Sequence, residues 1–262
     1  MSTHSPFEVI PGDPDAPVVL HVPHASTHIP ADVREGILLD DDALAAELQH
    51  VTDAGTDNLA REAADLAGVR PWIFVNHLSR LVVDPERFID DLERIRPVEL
   101  DAVVYERTSD LSQLRQPTDA QREALIDDYF TPYVEALADL VDERLAVAGE
   151  VTVIDLHSYP QDPLPYEMDD GRPRPEVAVG VDDFHTPRSL RDAAIGAMRP
   201  VTPSGRVLVD TPFAGCYVPP RHRGTDAAVQ AVMLEVRRDV FASYADKLAR
   251  GVTDLLDAVA PR

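Results

Sequence analysis

Apolar residues along this chain fall into short β-branched runs, separated by longer stretches in which they recur every three or four positions. Val18–Val22 is one such run and ends at Pro23 and His24, which predicts a strand followed by a loop. Over residues 41–66 the residues Leu44, Leu48, Val51, Leu59 and Ala63 keep helical steps, with a kink expected at Gly55. Residues 72–75 predict a second strand leading into Asn76, and residues 81–83 another short extended piece. Residues 88–118 hold no sustained period and read as an excursion or long loop.

Pro117, Thr118 and Asp119 open a long helix predicted through about residue 148, with Leu125, Tyr133, Leu137, Val141 and Leu145 on its apolar face. Residues 151–154 predict a buried strand that ends on Asp155, His157 and Ser158. Five prolines within residues 160–175 predict a loop over that strand end. Residues 176–181 and 206–209 read as further strands, with a helix over Arg188–Met198 between them. Residues 229–236 fit a strand or a helix start, and residues 241–259 a closing helix. This alternation predicts an α/β fold with a mixed, mostly parallel sheet and helices on both faces. With no repeat, low-complexity segment or linker, residues 1–262 read as one domain.

Composition narrows the functional classes. A chain of 262 residues that is 44% hydrophobic is not disordered by composition. No apolar run is long enough for a membrane helix, and residues 1–14 show no secretory signal. One cysteine, Cys216, leaves no intramolecular disulfide and makes the cytoplasm the expected location. A net charge of −23, with one lysine at Lys247, argues against nucleic acid and anionic membranes as partners.

Candidate chemistry gathers where α/β sheets bind ligands, beyond the carboxyl ends of strands. His24 and His157 both follow predicted strands, and two imidazoles there suit a zinc-like metal. His28 precedes Pro30 and ranks below them. Asp53 and Asp57, four residues apart, are the candidates for a third ligand. Asp155 either orients His157 or caps its strand. Arg80, Arg87, Arg221 and Arg223 occupy loop contexts that suit a substrate carboxylate, although Arg80 and Asp84 equally fit a structural ion pair. Residues 211–221 read as a substrate-facing loop turning at Gly215. Glu235 is a carboxylate inside an apolar run, a position that favours pairing, metal binding or catalysis. Cys216 has no close histidine in sequence and reads as a small turn residue.

Six segments occur in a particular order: residues 22–26, 52–57, 79–84 with Arg87, 155–158, 215–218 with Arg221, and Leu234 with Glu235. Across nearly the whole chain this order resembles the N-formylglutamate amidohydrolase family, which is distantly similar to zinc carboxypeptidases and to aspartoacylase and succinylglutamate desuccinylase. The resemblance implies a zinc-carboxypeptidase-like (phosphorylase/hydrolase-like) fold and hydrolysis of an N-acyl group, formyl first, from an acidic amino acid. It also implies a place in histidine degradation. His24 and His157 would then hold a divalent metal, zinc before cobalt or manganese. Asp53 would be their third partner, Glu235 the general base, and Arg80, Arg87 and Arg221 the holders of substrate carboxylates. Asp57, Asp84, Asp155 and Asn76 are secondary candidates.

The chain departs from the pattern twice. Thr27 stands where the carboxypeptidases place a ligand glutamate, and Asp84-Pro85-Glu86-Arg87 replaces a common Asp-Leu-Asn-Arg. The expected partner is a small anionic amino-acid derivative. A deacylase or carboxypeptidase with another substrate, or a catalytically silent metabolite-binding module, are the alternatives.

Overall fold

Four strands with β-branched, fully buried interiors pair in parallel at the centre of the molecule: β3 (Trp72–Asn76), β2 (Val18–Val22), β4 (Val151–Tyr159) and β7 (Val229–Arg237). Strands buried on both faces read as continuous apolar runs, which is why 151–154 and 229–236 showed no alternation of apolar and polar residues. The computed structural model describes residues 5–89, 102–167 and 171–260. Its sheet has seven strands in the order β1-β3-β2-β4-β7-β5-β6. β1 (Phe7–Ile10) runs antiparallel on β3, and β5 (Val177–Gly180) antiparallel on β7, with β6 (Val207–Val209) beside it. The sheet is therefore mixed and mostly parallel, as expected.

Helices cover both faces. On one, α3 (Thr56–Leu66), α6 (Arg188–Met198) and α7 (Arg238–Val259) pack Leu59, Leu190, Leu248, Val252 and Leu255 against Leu20, Ile154, Leu156 and Leu234. On the other, α5 (Thr131–Ala148) lays Tyr133, Leu137 and Val141 over Val19, Val153 and Ala231. Two further helices, α1 (Ala31–Arg34) and α2 (Asp41–Val51), lie between β2 and α3, and α4 (Asp119–Leu125) leads through a π-helical turn into α5. The Thr118–Gln121 capping box starts α4 where the sequence predicted a helix start.

Three expectations need correction. Residues 81–83 are buried but belong to a turn rather than a strand, because Leu81 and Val82 pack against loop and helix side chains instead of a ladder. β4 continues to Tyr159, so His157 stands inside the strand and not after it. The ambiguous run at 229–236 is a strand, and the helix after it starts at Arg238, ahead of residue 241. Part of the 88–118 excursion, residues 90–101, lies outside the described residues. No described helix is long and apolar enough to cross a membrane.

Close backbone contact at Gly180 shapes the far edge of the site. A Cβ there would fall 2.0 Å from the Gly215 carbonyl oxygen, so only glycine lets the 211–221 loop lie against β5.

Candidate metal centre and active site

Side chains alternate along a strand, and on three neighbouring strands one face changes character part-way. In β2, Val19 is followed by His21; in β4, Val153 by Asp155 and His157; in β7, Ala231 by Met233 and Glu235. The registers set His21 opposite Asp155, and His157 opposite Glu235. The apolar half of this face lies under α5, and the polar half forms the floor of a cavity at the carboxyl ends. Beyond β2 the chain turns at Pro23 and presents His24, whose carbonyl accepts the Asp53 amide at 2.9 Å. Asp53 sits in the tight turn between α2 and α3, where Gly55 takes a φ of +91°.

His24, Asp53 and His157 converge, each at least 96% buried. His24 Nδ1 lies 3.3 Å from His157 Nδ1 and 3.6 Å from Asp53 Oδ2, and His157 Nδ1 lies 3.0 Å from that same oxygen. Ligands placed tetrahedrally around zinc at about 2.0–2.1 Å stand about 3.3–3.4 Å from one another. The donor set is therefore spaced to hold one small divalent cation, with the fourth direction left to the cavity. Around it, among the described residues, the carboxyl groups of Asp53, Asp84, Glu86 and Asp155 face the guanidiniums of Arg80, Arg87 and Arg238, a surplus of acidic groups that a cation offsets.

Each imidazole has a carboxylate behind it. His24 Nε2 donates to Asp84 Oδ1 at 2.9 Å, which leaves Nδ1 with its lone pair directed at the donor set. Asp84 is itself held by Arg80 at 2.7 Å, by the Tyr105 hydroxyl, and by Arg87 at 3.6 Å. Burial alone would push the Asp84 carboxyl up; Arg80, Arg87 and His24 outweigh it and keep the group well below the usual carboxylate range. Behind His157, Nε2 lies 3.1 Å from Asp155 Oδ2 and 3.2 Å from Glu86 Oε2, aligned with neither. Asp155 is fixed by His21 Nδ1 at 2.9 Å, and His21 Nε2 by the Tyr133 hydroxyl at 2.6 Å. The same opposition operates at Asp53, where burial raises the carboxyl but His157 and His24 hold it below its ordinary value.

The cavity, about 340 Å³, opens above this floor. Glu235 lines it, 8% exposed, with no hydrogen-bond partner for Oε2. Burial pushes its carboxyl up to about 8; Asp53 and Glu86 add to this, and His157 and Arg80 oppose it. Arg80, Arg87 and Arg238 line the walls, and Tyr166 and Glu167 of the proline-rich 160–175 loop form part of the cover. That loop is held by the Glu167–Arg174 ion pair and by the Tyr159 hydroxyl donating to the Pro175 carbonyl at 2.6 Å.

Of the residues singled out in the sequence, the structure brings His24, Asp53, Arg80, Asp84, Arg87, Asp155, His157 and Glu235 into this one neighbourhood. Asn76 supports it from beneath, donating to the Pro23 carbonyl and accepting from the Leu78 amide. Asp57 does not join: it lies in the first turn of α3, outside the donor set that Asp53 enters and outside the cavity lining. Arg221 does not join either. The 211–221 loop sends Phe213 and Ala214 into the cavity, but Arg221 ends on the outer surface, paired with Asp139 and Asp142 of α5. Arg223 stacks on Phe88, 3.8 Å from the ring centre, and His28 is exposed. Burial pushes the Cys216 thiol up to about 12, which keeps it protonated.

Sequence reading missed Arg238. It donates to the Gln49 and His50 carbonyls at the end of α2 and approaches Asp53 Oδ1 to 3.7 Å. The signal was a pair of arginines closing an apolar run three residues after Glu235. His21 was also missed, although a histidine in a buried β-branched strand requires partners.

The family model described as N-formylglutamate amidohydrolase matches residues 16–242. The chain belongs to this family. It is thus a hydrolase that acts on amide bonds. Among solved structures, N-formylglutamate amidohydrolase from Ralstonia eutropha JMP134 is similar at 21% identity over 96% of each chain, with a TM-score of 0.77. The gene product Atu2144 from Agrobacterium tumefaciens is 21% identical over 98% of this chain and 96% of its own, with a TM-score of 0.69. At that identity both establish the fold. No curated protein matches the chain by sequence.

Two measurements follow for this amidohydrolase. Asp84→Asn removes the negative charge behind His24 and offers an amide donor that favours the wrong imidazole tautomer, so divalent-metal affinity measured by competition with a chelator dye should fall about 10–100-fold; an unchanged affinity would contradict the role given to Asp84. Between the ordinary carboxyl value of 4.5 and about 8, folded protein stripped of metal keeps a proton on Glu235 that the unfolded chain has released. Stability therefore falls as pH rises through that window, by at most about 1.4 kcal/mol per pH unit. Melting curves of the chelator-treated protein should show this slope reduced in Glu235→Gln, and parallel slopes would count against the raised value.

Proposed function

We propose that the protein is a metal-dependent deformylase that hydrolyses N-formyl-L-glutamate or a close acidic analogue. The observation that carries this reading is the His24–Asp53–His157 donor set at the floor of a cavity walled by arginines, with Glu235 on the neighbouring strand. A divalent cation in that set supplies Lewis-acid polarisation of the amide carbonyl and lowers the pKa of a water. Glu235 accepts a proton from the attacking water, whose oxygen bonds to the formyl carbon. The carbon–nitrogen bond then breaks, and Glu235 returns the proton to the departing amine, so that formate and the free amino acid leave. A carboxyl whose pKa lies near the working pH suits a group that must both take and give a proton. Arg87 and Arg238, with Arg80 beside them, provide the positive wall against which the substrate carboxylates dock, fixing the distance from amide to donor set.

Glu86 supports a second reading within the same chemistry. Its carboxylate projects between His157 and His24, 3.2 Å and 3.7 Å from their nitrogens, where the family pattern has a neutral amide. A negative group there favours an acyl or amino-acid portion different from that of formylglutamate.

The test is formate release from N-formyl-L-glutamate by zinc-, cobalt- or manganese-loaded protein, beside a panel of N-acetyl and N-succinyl amino acids. Formate release that drops by a factor of about 10²–10⁴ in Glu235→Gln supports the first reading. Turnover of another N-acyl substrate, with none of N-formylglutamate, selects the second. Absence of any hydrolysis by metal-loaded protein overturns both.

A further inference from the structure

A second cavity, about 470 Å³, lies between α1 and α4 and shares no lining residue with the first. Its base contains Arg115, which is only 3% exposed. The guanidinium donates to the Leu81 carbonyl and, at 3.5 Å, to that of Val82, while Nε has no partner. No described carboxylate pairs with it. Burial, together with the nearby Arg122, pulls its pKa down to about 10. A buried cation with no carboxylate beside it among the described residues is an expensive arrangement. The Leu38 amide donates to the Leu114 carbonyl at 2.8 Å, which brings the strip after α1 directly beside Arg115.

The rest of the lining divides by chemistry. Asp32, Glu35 and Asp128 stand exposed on the rim, with Asp32 accepting from the Tyr129 hydroxyl at 3.2 Å. Val33, Leu38 and Leu125 supply apolar surface, with Leu38 62% exposed. One recessed cation, an acidic rim and an apolar wall match the three parts of one small molecule. We propose that this cavity binds the zwitterion of a free amino acid with an apolar side chain: carboxylate on Arg115, ammonium toward the acidic rim, side chain against Val33, Leu38 and Leu125. The site is separate from the catalytic cavity, and the proposal stands whichever substrate that cavity takes.

L-leucine is the probe, with 4-methylpentanoate lacking its ammonium and 3-methylbutylamine lacking its carboxylate. Leucine should raise Tm in a concentration-dependent way, with each truncated analogue at least tenfold weaker. Arg115→Gln should abolish the shift; because Arg115 also secures Leu81 and Val82, Ala124→Trp on the exposed face of α4 serves as the second variant, covering the cavity without touching that bond. Loss of the leucine response in Ala124→Trp supports the assignment. No shift with leucine, equal shifts with 4-methylpentanoate, or a response that survives Ala124→Trp overturns it.

Discussion

The arrangement on which the structure depends is the burial of charge at one end of the sheet. His24, Asp53, Asp84, Asp155 and His157 are all at least 96% buried, and a buried ionisable group is tolerated only when paired and hydrogen-bonded. Each imidazole accordingly has a carboxylate behind it, and Asp84 has arginines behind it in turn. The excursion between β3 and α4 supplies Arg80, Asp84, Glu86, Arg87 and Tyr105 to this neighbourhood, which gives that irregular stretch a physical purpose. Its backbone at Leu81 and Val82 is held by Arg115.

The same constraint accounts for the division of labour between strand halves. The amino halves of β2, β4 and β7 give Val19, Val153 and Ala231 to the α5 interface, where volume and shape matter. The carboxyl halves give His21, Asp155, His157 and Glu235 to the floor, where pairing matters. Glu235 Oε2 has no partner, and burial raises its carboxyl to about 8. A carboxyl with an unpaired oxygen, beside a donor set and lining a cavity, is placed to exchange a proton with a bound molecule.

Much of this was legible in the sequence because it depends on local pattern. The central strand runs, the capped start of α4, the Arg188–Met198 helix and His24 beyond the end of β2 follow from spacing and β-branching. Asp53 against Asp57 was not decidable from spacing, because a turn at Gly55 and not one continuous helix separates them. Arg221 was misplaced since nearness in sequence to a cavity loop says nothing of direction; after Pro219 and Pro220 its side chain meets Asp139 and Asp142 on α5. Arg238 was overlooked because the closing helix was begun at residue 241, three positions too late to place an arginine at the strand end. β1 escaped notice as a four-residue edge strand, too short for alternation to register.

The central claim is that His24, Asp53 and His157 hold one divalent metal ion through Nδ1, a carboxylate oxygen and Nδ1. Anomalous scattering recorded at the zinc absorption edge, from crystals grown with zinc, tests it most directly. The account predicts a single strong peak between those three atoms. No peak there, or a peak among His21, Glu86 and Asp155 instead, would contradict it.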